Sequence, residues 1–193
     1  MKLPIYNLEI NEDDQDTGVN FVALVDSPAI ERNWVAFNKQ QSFIANEDKQ
    51  IISGALMVAD LPIYRQDAIL GEYYAVFTAE TIEKIVNKFF KSGMIHNVNL
   101  MHDASQVVKG AYMIESYIIN REKGINPPKG FEGISDGSWF GSFKVENAEI
   151  WKRIKEGEFK GFSIEGAFDH LFYVDKEQKA INEIIEIIKA IEP

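Results

Sequence analysis

The sequence predicts an α+β domain in which strands outnumber helices. Short apolar runs rich in β-branched and aromatic residues recur along the chain, among them VNFVALV, IISGALMV, GEYYAVF and GSWFGSFKV. Between them stand segments with helical spacing and capping residues at both ends. A chain of 193 residues with 46% hydrophobic content is expected to bury one core, so a single domain over 1–193 is expected.

The elements follow in order. VNFVALVDSPAI reads as a buried strand that closes in a turn at Asp26, Ser27 and Pro28. The polar, aperiodic stretch 38–50 reads as a linker. QIISGALMVADLPIYR and GEYYAVF read as strands flanking a loop. TAETIEKIVNKFFKSG reads as a helix capped by Thr78, with Ile82, Ile85, Val86 and Phe89 on one face and Gly93 as its stop. MIHNVNLMHD is expected to be a short strand that turns at DASQ. VVKGAYMIESYIINRE and DGSWFGSFKV pair across the Gly- and Pro-rich loop 122–137, long enough to suggest disorder or a flap over a groove. ENAEIWKRIKEG is a second helix, capped by Asn147, with Ile150, Trp151 and Ile154 inward and Gly157 at its end. After the strand KGFSIEGAFDHLFYV, an isoleucine stripe over 176–193 predicts a last helix that packs on the body or on a partner, a homodimer included.

Composition narrows the chemistry. The absence of cysteine removes disulfides, thiolate metal sites and a thiol nucleophile. A formal net charge of −10 with scattered Lys and Arg argues against nucleic acid as the main ligand. No apolar run reaches membrane-spanning length and the N-terminal MKLPIYNLEINEDD turns acidic, so a soluble, intracellular chain is expected.

In KGFSIEG the period of two places Phe162 and Ile164 on one face and Ser163 with Glu165 on the other. Gly161 and Gly166 remove bulk on either side, which would let an extended peptide approach. The motif is not a G-x-S-x-G elbow, because position 165 is Glu and a strand follows where the elbow needs a helix. A serine nucleophile needs a base, and histidine is the natural one. On strand parity His102 shares a face with Leu100, while Asn99, Met101 and Asp103 point the other way. His96 has the parity of His102, which leaves a shared metal as a remote alternative; no cofactor is otherwise expected. His170 is read as a surface or packing residue.

NVNLMHD with His102, followed 61 positions later by GEFKGFSIEG with Ser163 and a short helix AEIWKRIKEG just before it, resembles the phage prohead maturation proteases, and more narrowly their XkdF-like branch. The similarity covers roughly residues 50–168, with a further match in VALVDSPAI. It implies a fold akin to the herpesvirus assemblin proteases, a β-barrel ringed by helices, occupying residues 51–175. It also implies Ser163 as nucleophile and His102 as general base, with scaffold and major capsid proteins as substrates. The place of action would be the host bacterial cytoplasm, inside or on the assembling prohead. In the commoner branch the strand resembling VALVDSPA follows the serine strand, whereas here it precedes everything. A circular permutation, with strand 19–27 completing the barrel from the other end, is the expected reason. The positions matching the family's third catalytic member are about Phe21 and Ala23, so no residue carries over. Glu165, one strand step of about 6.5 Å from Ser163, is the first substitute. Asp103 and Asp26 are the others, and a dyad assisted by water or a backbone carbonyl stays open. Gly161 and the residues after Ser163 are the candidate oxyanion donors. The alternative to a protease is a non-catalytic head component that retains the fold.

Overall fold

A computed structural model describes residues 3–14, 16–26 and 44–172. The predicted C-terminal helix and the whole stretch 27–43, with the turn expected at Ser27 and Pro28 and the first part of the expected linker, lie outside the described residues. Twelve strands and two helices are described: β1 (Ile5–Glu9), β2 (Gly18–Val25), β3 (Ile44–Asn46), β4 (Ile51–Met57), β5 (Ile63–Asp67), β6 (Gly71–Val76), α1 (Ala79–Lys91), β7 (Val98–Leu100), β8 (Asp103–Val107), β9 (Ala111–Ile118), β10 (Trp139–Val145), α2 (Ala148–Lys155), β11 (Gly161–Ala167) and β12 (Asp169–Phe172). In place of the expected closed barrel, the described strands form three four-stranded sheets, ordered β12-β1-β6-β5, β3-β4-β10-β9 and β11-β2-β7-β8. Part of the expected linker is itself structured, since Ile44–Asn46 lies antiparallel along β4 as an edge strand.

Both helices form where capping and periodicity predict. Thr78 Oγ1 accepts a hydrogen bond from Thr81 N at 3.1 Å, and Gly93, at φ +71°, follows the C-cap Ser92. Lys88 and Lys91 sit in the last turn, where the helix dipole favours cations. Asn147 Oδ1 accepts from Glu149 N and Ile150 N, both at 3.1 Å, and starts α2. The apolar faces, Ile82, Ile85 and Phe89 on α1 and Ile150, Trp151 and Ile154 on α2, are buried in the main core. Each such side chain contributes about 1.5–3 kcal/mol. Trp139 meets Phe89 edge-on at 5.2 Å and Phe143 meets Phe162 at 4.9 Å. The second contact ties β10 to the core side of the serine strand.

The long connection between β9 and β10 is packed rather than a free flap. Phe131 and Ile134 are buried with Ile119, Phe140 and Leu61 in a second, smaller core. The Arg121 guanidinium donates to Ile134 O at 2.7 Å and Glu132 O at 3.0 Å and pairs with Asp136. Apolar anchors and a cation with three acceptors overcome the turn-prone composition.

Gly166 sits where β11 passes β2 at a bulge. A Cβ there would lie 1.9 Å from Gly18 O and 2.9 Å from Val19 Cα, so this glycine is required by the chain's own backbone rather than by an incoming peptide. The substitution Gly166→Ala is expected to cost about 3 kcal/mol or more, lowering Tm by about 6–12 °C for a chain of this size. Thermal unfolding checks this; an unchanged Tm would mean that the two strands are not so closely apposed.

Candidate active site

The third sheet builds the site. β2 runs antiparallel to β11 on one side and parallel to β7 on the other, with Ser163 opposite Ala23 and Ala23 opposite Asn99. Neighbours on one rung point to one face. Phe162, Leu24 and Leu100 therefore join the core, together with Ile164, Val22 and Val98. Ser163, Ala23 and Asn99 face the opposite way, and Glu165 is two residues along from the serine on the same face. The predicted facing of the serine strand is thus present, although Ser163 is itself buried, at 7% exposure.

His102 reaches this face by a different route from the one expected. β7 ends at Leu100, which pairs with Asp103 of β8, so Met101 and His102 form a two-residue hairpin loop. Both residues have positive φ, +52° and +61°. This is the backbone of a type I′ turn, which Asn and Gly adopt most readily. The chain turns at His102 itself, and strand parity does not apply to the imidazole. Its Nδ1 lies 3.4 Å from Glu165 Oε2. The same carboxylate oxygen accepts a hydrogen bond from Asn99 Nδ2 at 2.9 Å.

Asn99 was not singled out as a site residue from the sequence. It is fully buried, and its Oδ1 has no hydrogen-bond partner among the described residues. A buried orphan acceptor costs about 1–3 kcal/mol, so the amide–carboxylate bond is maintained at some expense. An asparagine on the outward parity of an otherwise apolar strand was the available signal.

The other candidates are elsewhere. Asp103 accepts from Ser105 N at 2.8 Å, Ser105 Oγ at 2.6 Å and Gln106 Nε2 at 2.7 Å. The Ser105 and Gln106 side chains, with the Ser105 amide, hold its carboxyl below the usual carboxylate range. Asp26 is exposed in the bend after β2 and does not line the site. His96 lies in a 3-10 turn, Met94–His96, with its ring 5.7 Å from that of Tyr112. Among the described residues no group of three or more His, Asp or Glu is placed to hold a metal. His170, on β12, packs against Tyr6 and Tyr73 and has Nε2 3.1 Å from Tyr73 Oη.

Ser163, His102 and Glu165 open onto one cavity of about 490 Å³, which runs inward between β11 and the β12-β1-β6-β5 sheet. β11 is hydrogen-bonded to β2 alone and passes β4 unpaired, so one of its edges borders this space. The histidine and glutamate side chains are 42% and 35% exposed, so their attraction is screened by solvent. A serine, an imidazole and a carboxylate facing one cleft is the set of groups that nucleophilic acyl transfer employs.

Residues 40–171 match the family described as "Putative phage serine protease XkdF", about two-thirds of the chain. The chain belongs to that family. It is 26% identical over 158 residues to "Uncharacterized protein YqbD" of Bacillus subtilis (strain 168), covering 77% of this chain and 45% of that protein. The chain thus spans less than half the length of this curated relative. No solved structure matches.

Because Met101 is close to half exposed, its side chain contributes little packing. Met101→Gly should relieve about 1 kcal/mol of left-handed strain, and glycine's greater unfolded-state entropy reduces the net gain to about 0.5 kcal/mol. Urea denaturation is expected to show the higher midpoint. A midpoint at or below wild type would contradict a left-handed residue at 101.

Proposed function

We propose that this protein is a serine endopeptidase that cleaves scaffold and major capsid proteins during phage prohead maturation. The observation that carries the reading is the convergence of Ser163, His102 and Glu165 on one cavity bordered by a strand edge. Family membership supports it. In this reading Glu165 holds Nδ1–H of His102, which leaves Nε2 to accept the Ser163 hydroxyl proton. The alkoxide oxygen attacks the scissile carbonyl, and the protonated imidazole then gives its proton to the leaving amine as the C–N bond breaks. Water, deprotonated by the same imidazole, attacks the acyl ester, and the imidazolium returns that proton to the Ser163 oxygen as the ester C–O bond breaks. Asn99 is a positioning residue, since it fixes the carboxylate oxygen that faces the histidine.

Among the described residues no hydrogen bond joins Ser163 Oγ to His102. In enzymes without bound substrate such bonds are often long and tighten only in the complex. Substrate would bind extended along the unpaired edge of β11, adding backbone hydrogen bonds as a further strand. The assemblin relation and the circular permutation belong to the same proposal. Their support is that the early strand β2 lies between the serine strand β11 and the strand β7 that leads to His102. The work would take place in the host bacterial cytoplasm, at the assembling prohead.

Purified wild type and Ser163→Ala, each incubated with the scaffold and major capsid proteins encoded beside it and with assembled proheads, test the reading by mass spectrometry of fragments. Wild type is expected to cut and the alanine variant to be inert. Glu165→Gln is expected to lose about 10²- to 10⁴-fold in kcat/KM, as removal of the histidine's carboxylate partner does in triads. If neither wild type nor variant cuts, the chain is a non-catalytic head component. An unimpaired Glu165→Gln would remove the carboxylate from the mechanism.

A further inference from the structure

We propose that the cavity beside Ser163 is a specificity pocket that takes a large uncharged side chain, of the Leu, Met or Phe class, from the residue next to the scissile bond. The inference rests on the protease reading for its place in a reaction, but the pocket's chemistry stands on its own walls. Leu8, Leu56, Ile63, Phe77, Phe162 and Phe168 line it, and all but Phe168 are buried. The Phe77 and Phe168 rings meet edge-on at 5.0 Å, which closes one side with a rigid aromatic corner. A volume of about 490 Å³ is within the range of small-ligand pockets and exceeds what one aliphatic or aromatic side chain needs.

The polar groups that reach the cavity favour no charged guest. Glu165 is the sole carboxylate in its lining, and its Oε2 already faces Asn99 and His102. A lysine or arginine entering would have to compete with Asn99 and His102 for the carboxylate oxygen that faces the site. An acidic side chain would meet the like charge of Glu165 beside Ser163. Elsewhere in the lining Arg65 Nη1 donates to Tyr64 O at 3.2 Å, and Tyr73 Oη and His170 Nε2 bond each other at 3.1 Å. Burying an unpaired charge is far less favourable than burying an alkyl or aromatic group, so discrimination should run against Asp, Glu, Lys and Arg. Gly and Ala would leave the apolar walls unfilled.

Two measurements decide it. Wild type is incubated with a peptide library prepared by digesting a bacterial proteome, and the residues on both sides of every new cut are tallied. At one of the two positions, Leu, Met and Phe together are expected to exceed the charged residues at least about tenfold, since burying an unpaired charge against apolar walls is disfavoured by more than that factor requires. Cuts flanked by charged or small residues on both sides would overturn the pocket while leaving the protease reading intact. If neither these peptides nor the scaffold and major capsid proteins are cut, the protease reading fails, and the pocket is decided by binding to Ser163→Ala. Capped hexapeptides that differ only in one central residue, Leu, Glu, Lys or Gly, are titrated while methyl NMR signals of Leu8, Leu56 and Ile63 are followed. The Leu peptide is expected to bind at least about tenfold more tightly than the others and to shift those methyls. Equal affinities, unshifted methyls or no binding would overturn the proposal.

Discussion

The site depends on one constraint, the placement of β2 between β11 and β7. Neither flanking strand touches the other through its backbone, so every relation between Ser163 and Glu165 on one side and Asn99 and His102 on the other is transmitted across β2. Adjacent strands are about 4.8 Å apart, which sets the two outer strands nearly 10 Å from each other. Side chains bridging that gap need an unobstructed path over the middle strand. Ala23, on the rung shared by Ser163 and Asn99, leaves the path open. A leucine there would stand between the amide of Asn99 and the carboxylate of Glu165. Gly166 and Gly18 act on the same constraint from the other end of the strand pair, by letting β11 bend over β2 at the bulge.

Several local features of the site run against stability. Two non-glycine residues in succession occupy the left-handed region, at about 1–2 kcal/mol each, and a buried asparagine leaves an acceptor unused. Such features persist only where the surroundings over-determine them. Here the surroundings are Leu24, Val22, Phe162 and Val98, all buried on the reverse face of the same three strands. The core thus anchors β7 and with it the hairpin that presents His102, and among the described residues the imidazole's one polar contact on the site is with Glu165. At 42% exposure its side chain has few packing neighbours to hold it otherwise.

Much of the fold was legible because it obeys simple periodicities. Thr78, Asn147, Gly93 and Gly157 are helix signals that depend on a few neighbouring residues, and the structure uses each of them. The facing of Phe162, Ser163, Ile164 and Glu165 followed from the strand period alone. The rest depended on tertiary context. Met101-His102 has none of the Asn-Gly character that marks a type I′ turn, so the strand was extended through it and Asn99 was assigned away from the histidine it now adjoins through Glu165. Phe131 and Ile134 lie among glycines and prolines, and only burial against Phe140 and Leu61 shows that the loop is packed. The short edge strand Ile44–Asn46 sits in polar sequence because an exposed edge has no apolar face to advertise. The closed barrel came from resemblance rather than from residues, and the described strands form open sheets instead.

The sheet edges separate protection from use. A free strand edge invites pairing with other chains, and proteins blunt it with charge, brevity or cover. β3 is three residues long, β5 carries Arg65 and Asp67, and β8 consists largely of exposed polar residues. β11 differs, because after Glu165 it runs Gly166-Ala167 with no charged guard, and its unpaired edge borders the cavity. A cavity bordered by a single strand edge suits one extended segment better than a second folded sheet. On the proposed reading that preference is a first level of selection. A segment must be extended and locally unfolded to enter, before any side chain is tested against the apolar walls behind Ser163. Flexible scaffold segments meet that condition and compact domains do not, so the geometry of one edge strand would direct cleavage to unstructured regions of a crowded assembly.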